Sequence, residues 1–347
     1  MLVPELVALS YAAVSILILL LLLFIYLVIR KVIENTRRAN INLLKEKLSP
    51  LLLEFLTEDK ITRNLRLHSE LKMKAAEEVL TSYSAIIEGE KEKENLFSFT
   101  ELHLKDYYAA KLKSRKWSKR MNALYHIEGF RLLSLQDDVL AIAQNPRASH
   151  DERVHSLRIL ASFQYAKFYT VVTGLQPLAD SEYRNILMRL NEKSFEQFIL
   201  GFHHCHEALK WAILDVIAIS KELKYTYFVE KVFAANEGEI QLRAIKALSA
   251  IGYVKDLKPY LPLCQSGHWQ QRMMVAKLFG SLKDPSLLPI LLELLHDASW
   301  YVRSQAGQSI MMFPDGKAAL QNVLNTSQDN FARDMAWEWM IKGDLYT

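Results

Sequence analysis

Four arginines in the C-terminal third of the chain, Arg243, Arg272, Arg303 and Arg333, follow one another at intervals of 29, 31 and 30 residues. Their surroundings are alike: Leu242-Arg243-Ala244, Gln271-Arg272-Met273, Val302-Arg303-Ser304 and Ala332-Arg333-Asp334 each lead into apolar residues three and four apart. That spacing is helical. A turn such as Lys283-Asp284-Pro285-Ser286 follows, and then a second apolar stretch over 287–295. A helical pair of this size cannot bury its apolar faces alone, so a regular period forces neighbouring pairs to stack. Weaker copies surround Arg120, Arg153 and Arg184, at intervals of 33 and 31, and residues 207–214 fill the gap before Arg243. The pattern predicts about seven helical pairs from roughly residue 100 onward.

These units resemble HEAT repeats, in particular the short bacterial type. Asp297-Ala298-Ser299-Trp300-Tyr301-Val302-Arg303 is the copy most similar to that opening motif. The likeness is good over 236–340, weaker over 100–235 and absent before that. It implies an α-solenoid in which Asp/Arg pairs stitch adjacent repeats and the surface binds other proteins. Bacterial membrane-tethered proteins of this build look like accessory subunits, and a membrane glycosyltransferase of exopolysaccharide synthesis or secretion is one partner the resemblance suggests. A signalling adaptor docking a receiver or kinase domain is the alternative. A fold alone does not specify either role.

The N-terminal segment carries a different constraint. No residue from Leu6 to Ile29 is charged, and residues 16–25 have no polar interruption. About 20 apolar residues suffice to cross the roughly 30 Å hydrocarbon core. A signal peptide would start with basic residues and end in small ones, whereas this stretch begins Met1-Leu2-Val3-Pro4-Glu5 and ends in Arg30-Lys31. The reading is an uncleaved membrane helix. Ala8, Ala12 and Ser15 lie on one of its faces, where small residues facing lipid are a simpler account than a second helix.

Charge decides the orientation. The chain carries a formal +4, and the flank 30–47 holds all of it: Arg30, Lys31, Arg37, Arg38, Lys45 and Lys47 against Glu34 and Glu46. The rest is neutral. Basic residues on the C-terminal side place that side in the cytoplasm, with the N-terminus outside a bacterial inner membrane. A neutral body also weighs against nucleic acid as a partner. Lipid contact is expected through residues 6–29 and the basic flank 30–47, and a protein partner at the membrane. The division expected is 1–30 as membrane helix, 31–99 as juxtamembrane segment and helical cap, and 100–347 as repeats.

Within 31–99, Ser49-Pro50 reads as an N-cap followed by proline at the first helical position. A helix is expected over about 69–88, an exposed loop over the charged stretch 88–95, and a further helix over 100–113.

Eleven glycines and nine prolines are few for 347 residues. With no alternating Val/Ile/Thr pattern, the chain reads as all-α: a transmembrane helix followed by an α-α superhelix. Two cysteines, Cys205 and Cys264, exclude a disulfide framework and a Cys-only zinc site, and fit a reducing compartment. No phosphate-binding loop, dinucleotide fingerprint, nucleophile elbow or zincin motif occurs. The recurring arginines read as donors to turn carbonyls and Asp, and Trp117, Trp269 and Trp300 as packing between units. His203-His204-Cys205-His206-Glu207 is the one cluster with metal-ligand chemistry. Its single adjacent His-Glu pair, His206-Glu207, is too little for a HEAT-type metal hydroxylase, so packing and surface histidines are preferred over ligands. Residues 105–120 are basic with interleaved Tyr107, Tyr108 and Trp117, and read as a solvated face unless the segment before them returns to the membrane. No catalytic, cofactor or metal residue is assigned, and the chain is read as a scaffold and not an enzyme.

Overall fold

The computed structural model describes residues 4–58 and 67–345, with side chains described for 9–58 and 67–342. Met1–Val3, residues 59–66 and Tyr346–Thr347 lie outside the described residues. Among the described residues there is no strand. The all-α expectation holds. Two compact units divide within one helix, the first over 1–159 and the second over 160–347.

The first unit contains α1 (Pro4–Glu58), α2 (Glu70–Ser84), α3 (Glu90–Leu112), α4 (Trp117–Gly129), α5 (Gln136–Ala143) and the start of α6 (His150–Ser162). Helix α1 runs unbroken through Pro50, so Ser49 is not the N-cap expected of it. Proline removes one backbone donor and crowds the preceding turn. Here packing overrides that cost, because Leu48, Leu52, Phe55 and Leu56 are buried on both sides of the ring. The Tyr83 hydroxyl also donates to the Ser49 carbonyl at 3.0 Å and lies 2.6 Å from its Oγ. Each such leucine contributes roughly 2 kcal/mol on burial. The N-terminal half is the opposite: every large apolar side chain from Leu9 to Ile33 is exposed.

Helix α2 starts at the Ser69 N-cap, whose Oγ accepts from Lys72 N at 3.2 Å. It stops earlier than expected, at Ser84. The hydroxyls of Ser82 and Ser84 bond back to the carbonyls of Glu78 and Thr81, and both Ile86 N and Ile87 N fold onto the Tyr83 carbonyl. The charged stretch after it is helical from Glu90 and not a loop. Glu90 and Glu92 favour a helix N-terminus, Lys93 pairs with Glu90 at 3.0 Å, and Leu96 and Phe99 supply a buried face.

The second unit continues with α7 (Phe168–Gly174), α8 (Asp180–Leu187), α9 (Glu192–Leu200), α10 (Glu207–Ser220), α11 (Thr226–Ala235), α12 (Gly238–Ile251), α13 (Trp269–Leu282), α14 (Leu288–Leu294), α15 (Trp300–Ile310), α16 (Gly316–Thr326) and α17 (Asn330–Leu345). Helices α8, α10, α12, α13, α15 and α17 are the first members of successive pairs, and they stack on one another in that order. Between α12 and α13 the second member shrinks to a 3₁₀ turn, Leu261–Gln265, because Pro259 and Pro262 break the pattern. The core is a continuous apolar seam through Leu209, Ile213, Ile245, Leu248, Val275, Phe279, Val302 and Ile310, each with essentially no exposed surface.

Candidate interaction surface

The repeating arginines are structural donors. Arg272 Nε and Nη2 form a two-point bridge to Asp297 at 2.6 and 2.8 Å, and Nη1 donates to the Ser266 carbonyl at 2.6 Å. Arg303 repeats the second half, donating to the carbonyls of Asp297 and Ala298 at 2.7 and 3.0 Å. Arg333 Nε reaches the Leu324 carbonyl at 3.2 Å. In the first unit, Arg120 bridges Glu152 at 2.6 and 3.2 Å and donates to the carbonyls of Ser114 and Arg115. An arginine on one first helix thus holds a carboxylate at the entry of the next, and the carboxylate turns to cap that entry: Asp297 accepts from Ser299 N and Glu152 from Ser149 N.

Two rungs differ. Asp215 on α10, nearly buried, gathers Arg184 at 3.4 Å, Arg243 at 2.6 Å and Lys246 at 2.9 Å, so one carboxylate serves three helices. Burial lowers the Arg243 pKa, and Glu239, Asp215 and Asp180 together overcome that effect and raise it. The Nε of Arg153 is buried with no acceptor, so the rung predicted there is incomplete. Asp215 was not foreseen in the sequence, where an aspartate in an otherwise apolar helix carries no periodic mark.

A second polar cluster lies in the first unit and has no repeat signature at all. Glu77 on α2 is almost completely buried. Its carboxylate accepts from the Tyr108 hydroxyl at 2.7 Å and from Lys74, and lies 3.4 Å from Lys111 Nζ and 3.3 Å from His126 Nε2. Burial pushes the Glu77 pKa up, but His126, Lys74, Tyr108 and Lys111 together hold it below its ordinary value. Burial also lowers the His126 pKa, with Lys74 and Lys111 adding to it against the pull of Glu77. The Tyr108 phenol is raised by burial and by Glu77. The cluster ties α2, α3 and α4 together.

The histidine run is pulled apart by the fold. His206 caps α10: Nδ1 accepts from Leu209 N at 3.4 Å while Nε2 lies 2.8 Å from the Tyr183 hydroxyl. Cys205 is buried and its thiol is pushed up to about 11 by burial. His203, His204 and Glu207 are exposed. Among the described residues no three His, Cys, Asp or Glu side chains converge to hold a metal ion.

The family model for HEAT repeats matches residues 257–339, the stretch spanning the Arg272–Asp297–Arg303 rungs. Over residues 257–339 the chain is similar to HEAT repeats. No curated protein matches the chain. HEAT repeats are typically non-enzymatic protein-interaction scaffolds, and that role is what the match supports.

The HEAT region displays aromatic side chains where its first helices begin. Trp269 stacks on Tyr301 with ring centroids 4.7 Å apart, and Trp300 meets Tyr301 edge-on at 5.3 Å. The expected packing between units holds for Trp269. It is not met by Trp300, whose surface is 52% exposed. Trp117, at the corresponding position of α4, is 48% exposed, and its indole N–H donates to Ser149 Oγ at 3.0 Å. Of the basic residues in 105–120, Lys111 is absorbed by Glu77 and Arg120 by Glu152. Lys105, Lys113, Arg115, Lys116 and Lys119 remain exposed.

Proposed function

We propose that the chain is a membrane-anchored scaffold: α1 spans the bilayer, the body faces the cytoplasm, and the HEAT region binds a protein partner confined to the same membrane. One observation carries this reading. The same helix that exposes every large apolar side chain from Leu9 to Ile33 goes on, without a break, to bury Ile41, Leu48, Leu52 and Leu56 as core of the first unit. It is long and apolar enough to cross a membrane, and no protein surface covers the apolar half. Hydrocarbon is the natural cover for such a surface. The basic flank 30–47 then orients it with the body inside.

The partner in this reading is an integral or peripheral membrane protein. A membrane glycosyltransferase of exopolysaccharide synthesis or secretion is the class suggested by the likeness to membrane-tethered HEAT proteins. A solenoid of stacked pairs offers an extended surface for such a partner, and the anchor restricts the search to two dimensions.

Two measurements test the proposal. A reporter fused after the C-terminus is expected to be active only in its cytoplasmic form, and periplasmic activity overturns the orientation. Gentle detergent extraction at native expression is expected to recover a stoichiometric membrane-protein partner, lost on deleting residues 257–339. Recovery of the protein alone, with those repeats intact, rejects the scaffold role.

A further inference from the structure

The helices of the first unit keep a fixed axial register. On α1 and α2, Arg37 pairs with Glu70, Arg38 and Lys45 both with Glu78, and Ser49 with Tyr83, at sequence offsets of 33, 40, 33 and 34. Partners that rise together in number, at offsets mostly near 33, mean that α2 runs parallel to α1, starting again near the level of Arg37. Helix α3 returns antiparallel to both. Its early residues Asn95 and Phe99 meet Leu56 and Phe55 at the far end of α1, with Asn95 Nδ2 donating to the Leu56 carbonyl at 2.9 Å. Its late residues Tyr108 and Lys111 meet Glu77, which the offset places level with residue 44 of α1.

The turn from α3 into α4 therefore comes back toward the apolar half of α1. At 1.5 Å per residue it lies roughly 10–17 Å along the axis from Ile33 and Ile29, the last apolar residues there. The headgroup layer occupies roughly 5–7 Å of that distance. Lys113, Arg115, Lys116 and Lys119 on this turn are exposed, and among the described residues no carboxylate pairs with any of them. Trp117 stands half-exposed in their midst. Arg120 holds the turn in shape by donating to the carbonyls of Ser114 and Arg115 while anchored on Glu152. The Trp117–Ser149 bond brings the next turn alongside, adding exposed Arg147. Exposed Asp106 and Asp151 offset part of this charge and leave the surface basic.

We propose that the turn 113–119 is a second membrane contact, which binds the headgroups of anionic lipid and places Trp117 at the interface. It rests on the reading of α1 as a membrane helix. Three observations favour lipid over other partners. The charges are unpaired, whereas Arg37, Arg38 and Lys45 on α1 itself are already bound to Glu70 and Glu78. They sit within side-chain and screening reach of the layer that α1 enters. A tryptophan among them matches the preference of that residue for the membrane–water boundary. With α1 crossing at one point and this turn touching at another, the first unit is held at a fixed tilt.

The full-length protein, reconstituted in vesicles with a spin label at the headgroup, tests this. One set is phosphatidylcholine, and in the other a third of the lipid is phosphatidylglycerol. The quenching that disappears in Trp117→Phe isolates this one of the six tryptophans. Trp117 quenching is expected in the anionic vesicles, with loss to the neutral-vesicle level in high salt and in the combined variant K113Q/R115Q/K116Q/K119Q. Those side chains are exposed, so the variant should keep its circular dichroism. Retention of the protein through an alkaline wash with no charge-dependent Trp117 quenching overturns the second contact and leaves the anchor standing. Release of the chain by the wash overturns both.

Discussion

The α2–α4 junction and the HEAT region hold themselves together in opposite ways. In the second, the work is divided among rungs: Arg272 with Asp297, Arg303 with the Asp297 and Ala298 carbonyls, Arg333 with Leu324, each spanning one turn or one pair of neighbours. In the first, α2, α3 and α4 converge on the single carboxylate of Glu77. Distributed rungs make stability a sum of nearest-neighbour terms. A central charge makes it depend on one side chain. Substitution should therefore be local in the HEAT region and broad at the α2–α4 junction.

Glu77→Ala provides the strongest test of that difference. It leaves Lys74 and Lys111 without their counter-charge and the buried Tyr108 hydroxyl without an acceptor. Breaking a buried pair costs about 3–5 kcal/mol, and the partial exposure of both lysines argues for the lower end, about 3 kcal/mol. Hydrogen exchange of the full-length chain in detergent should show α2, α3 and α4 losing protection together. Protection lost in α2 alone would make the cluster no more cooperative than a rung.

In the HEAT region the sharpest expected loss comes from close packing. A Cβ at Gly280 would lie 2.5 Å from Ser309 Cβ and 2.8 Å from its Cα, so α13 and α15 approach at a distance only glycine allows. Gly280→Ala should cost about 2 kcal/mol by overpacking, with exchange rising at α13 and α15 and little elsewhere. An effect that spread through α8 and α10 would contradict nearest-neighbour behaviour.

These two sites also show what was legible in the sequence. The Arg272–Asp297–Arg303 rungs were readable because each repeat writes the same residues at the same interval, so a structural role leaves a periodic trace. Glu77 left none. It is one acid in the helical stretch Lys74-Ala75-Ala76-Glu77-Glu78, and its partners come from positions 74, 108, 111 and 126 on three helices. Only the three-dimensional meeting distinguishes it from Glu78, which serves the ion pairs with Arg38 and Lys45. The Ser49-Pro50 boundary misled for a related reason. The local rule for proline is sound, but burial of Leu48, Leu52 and Phe55 around it outweighs the single missing bond.

Titration should separate the two junctions along the pH axis. The folded pKa of His126 lies below its ordinary 6.5, so the unfolded chain takes up that proton first. Stability from this group is full above 6.5 and is lost as pH falls through the folded value. The depressed Glu77 adds a second loss below its ordinary 4.5. At the α13–α15 junction, burial raises the Asp297 pKa but Arg272, Ser299 and Arg303 together depress it, so that contribution fades only below the ordinary 3.8. Exchange in α2–α4 should accordingly rise at milder acidity than in α13–α15, and His126→Gln should flatten the first step. Equal acid sensitivity at both junctions would contradict the assignment.

The smallest expected effects concern the tryptophans that open first helices in the two units. Trp117 gives its indole N–H to Ser149 Oγ at 3.0 Å, so Trp117→Phe removes one half-exposed hydrogen bond, worth about 0.5–1 kcal/mol. Trp269→Ala removes a stacked ring from Tyr301, about 1 kcal/mol beyond its buried area. Trp300 keeps an edge contact with Tyr301 but leaves over half its surface in solvent. Its replacement by alanine should shift stability by no more than about 0.5 kcal/mol, the range of ordinary surface changes. Comparing Trp269→Ala and Trp300→Ala by denaturant unfolding of the same full-length chain checks the order. A Trp300 effect as large as that of Trp269 would mean that the exposed ring is structural, and that the aromatic edge of the HEAT region packs as tightly as its core.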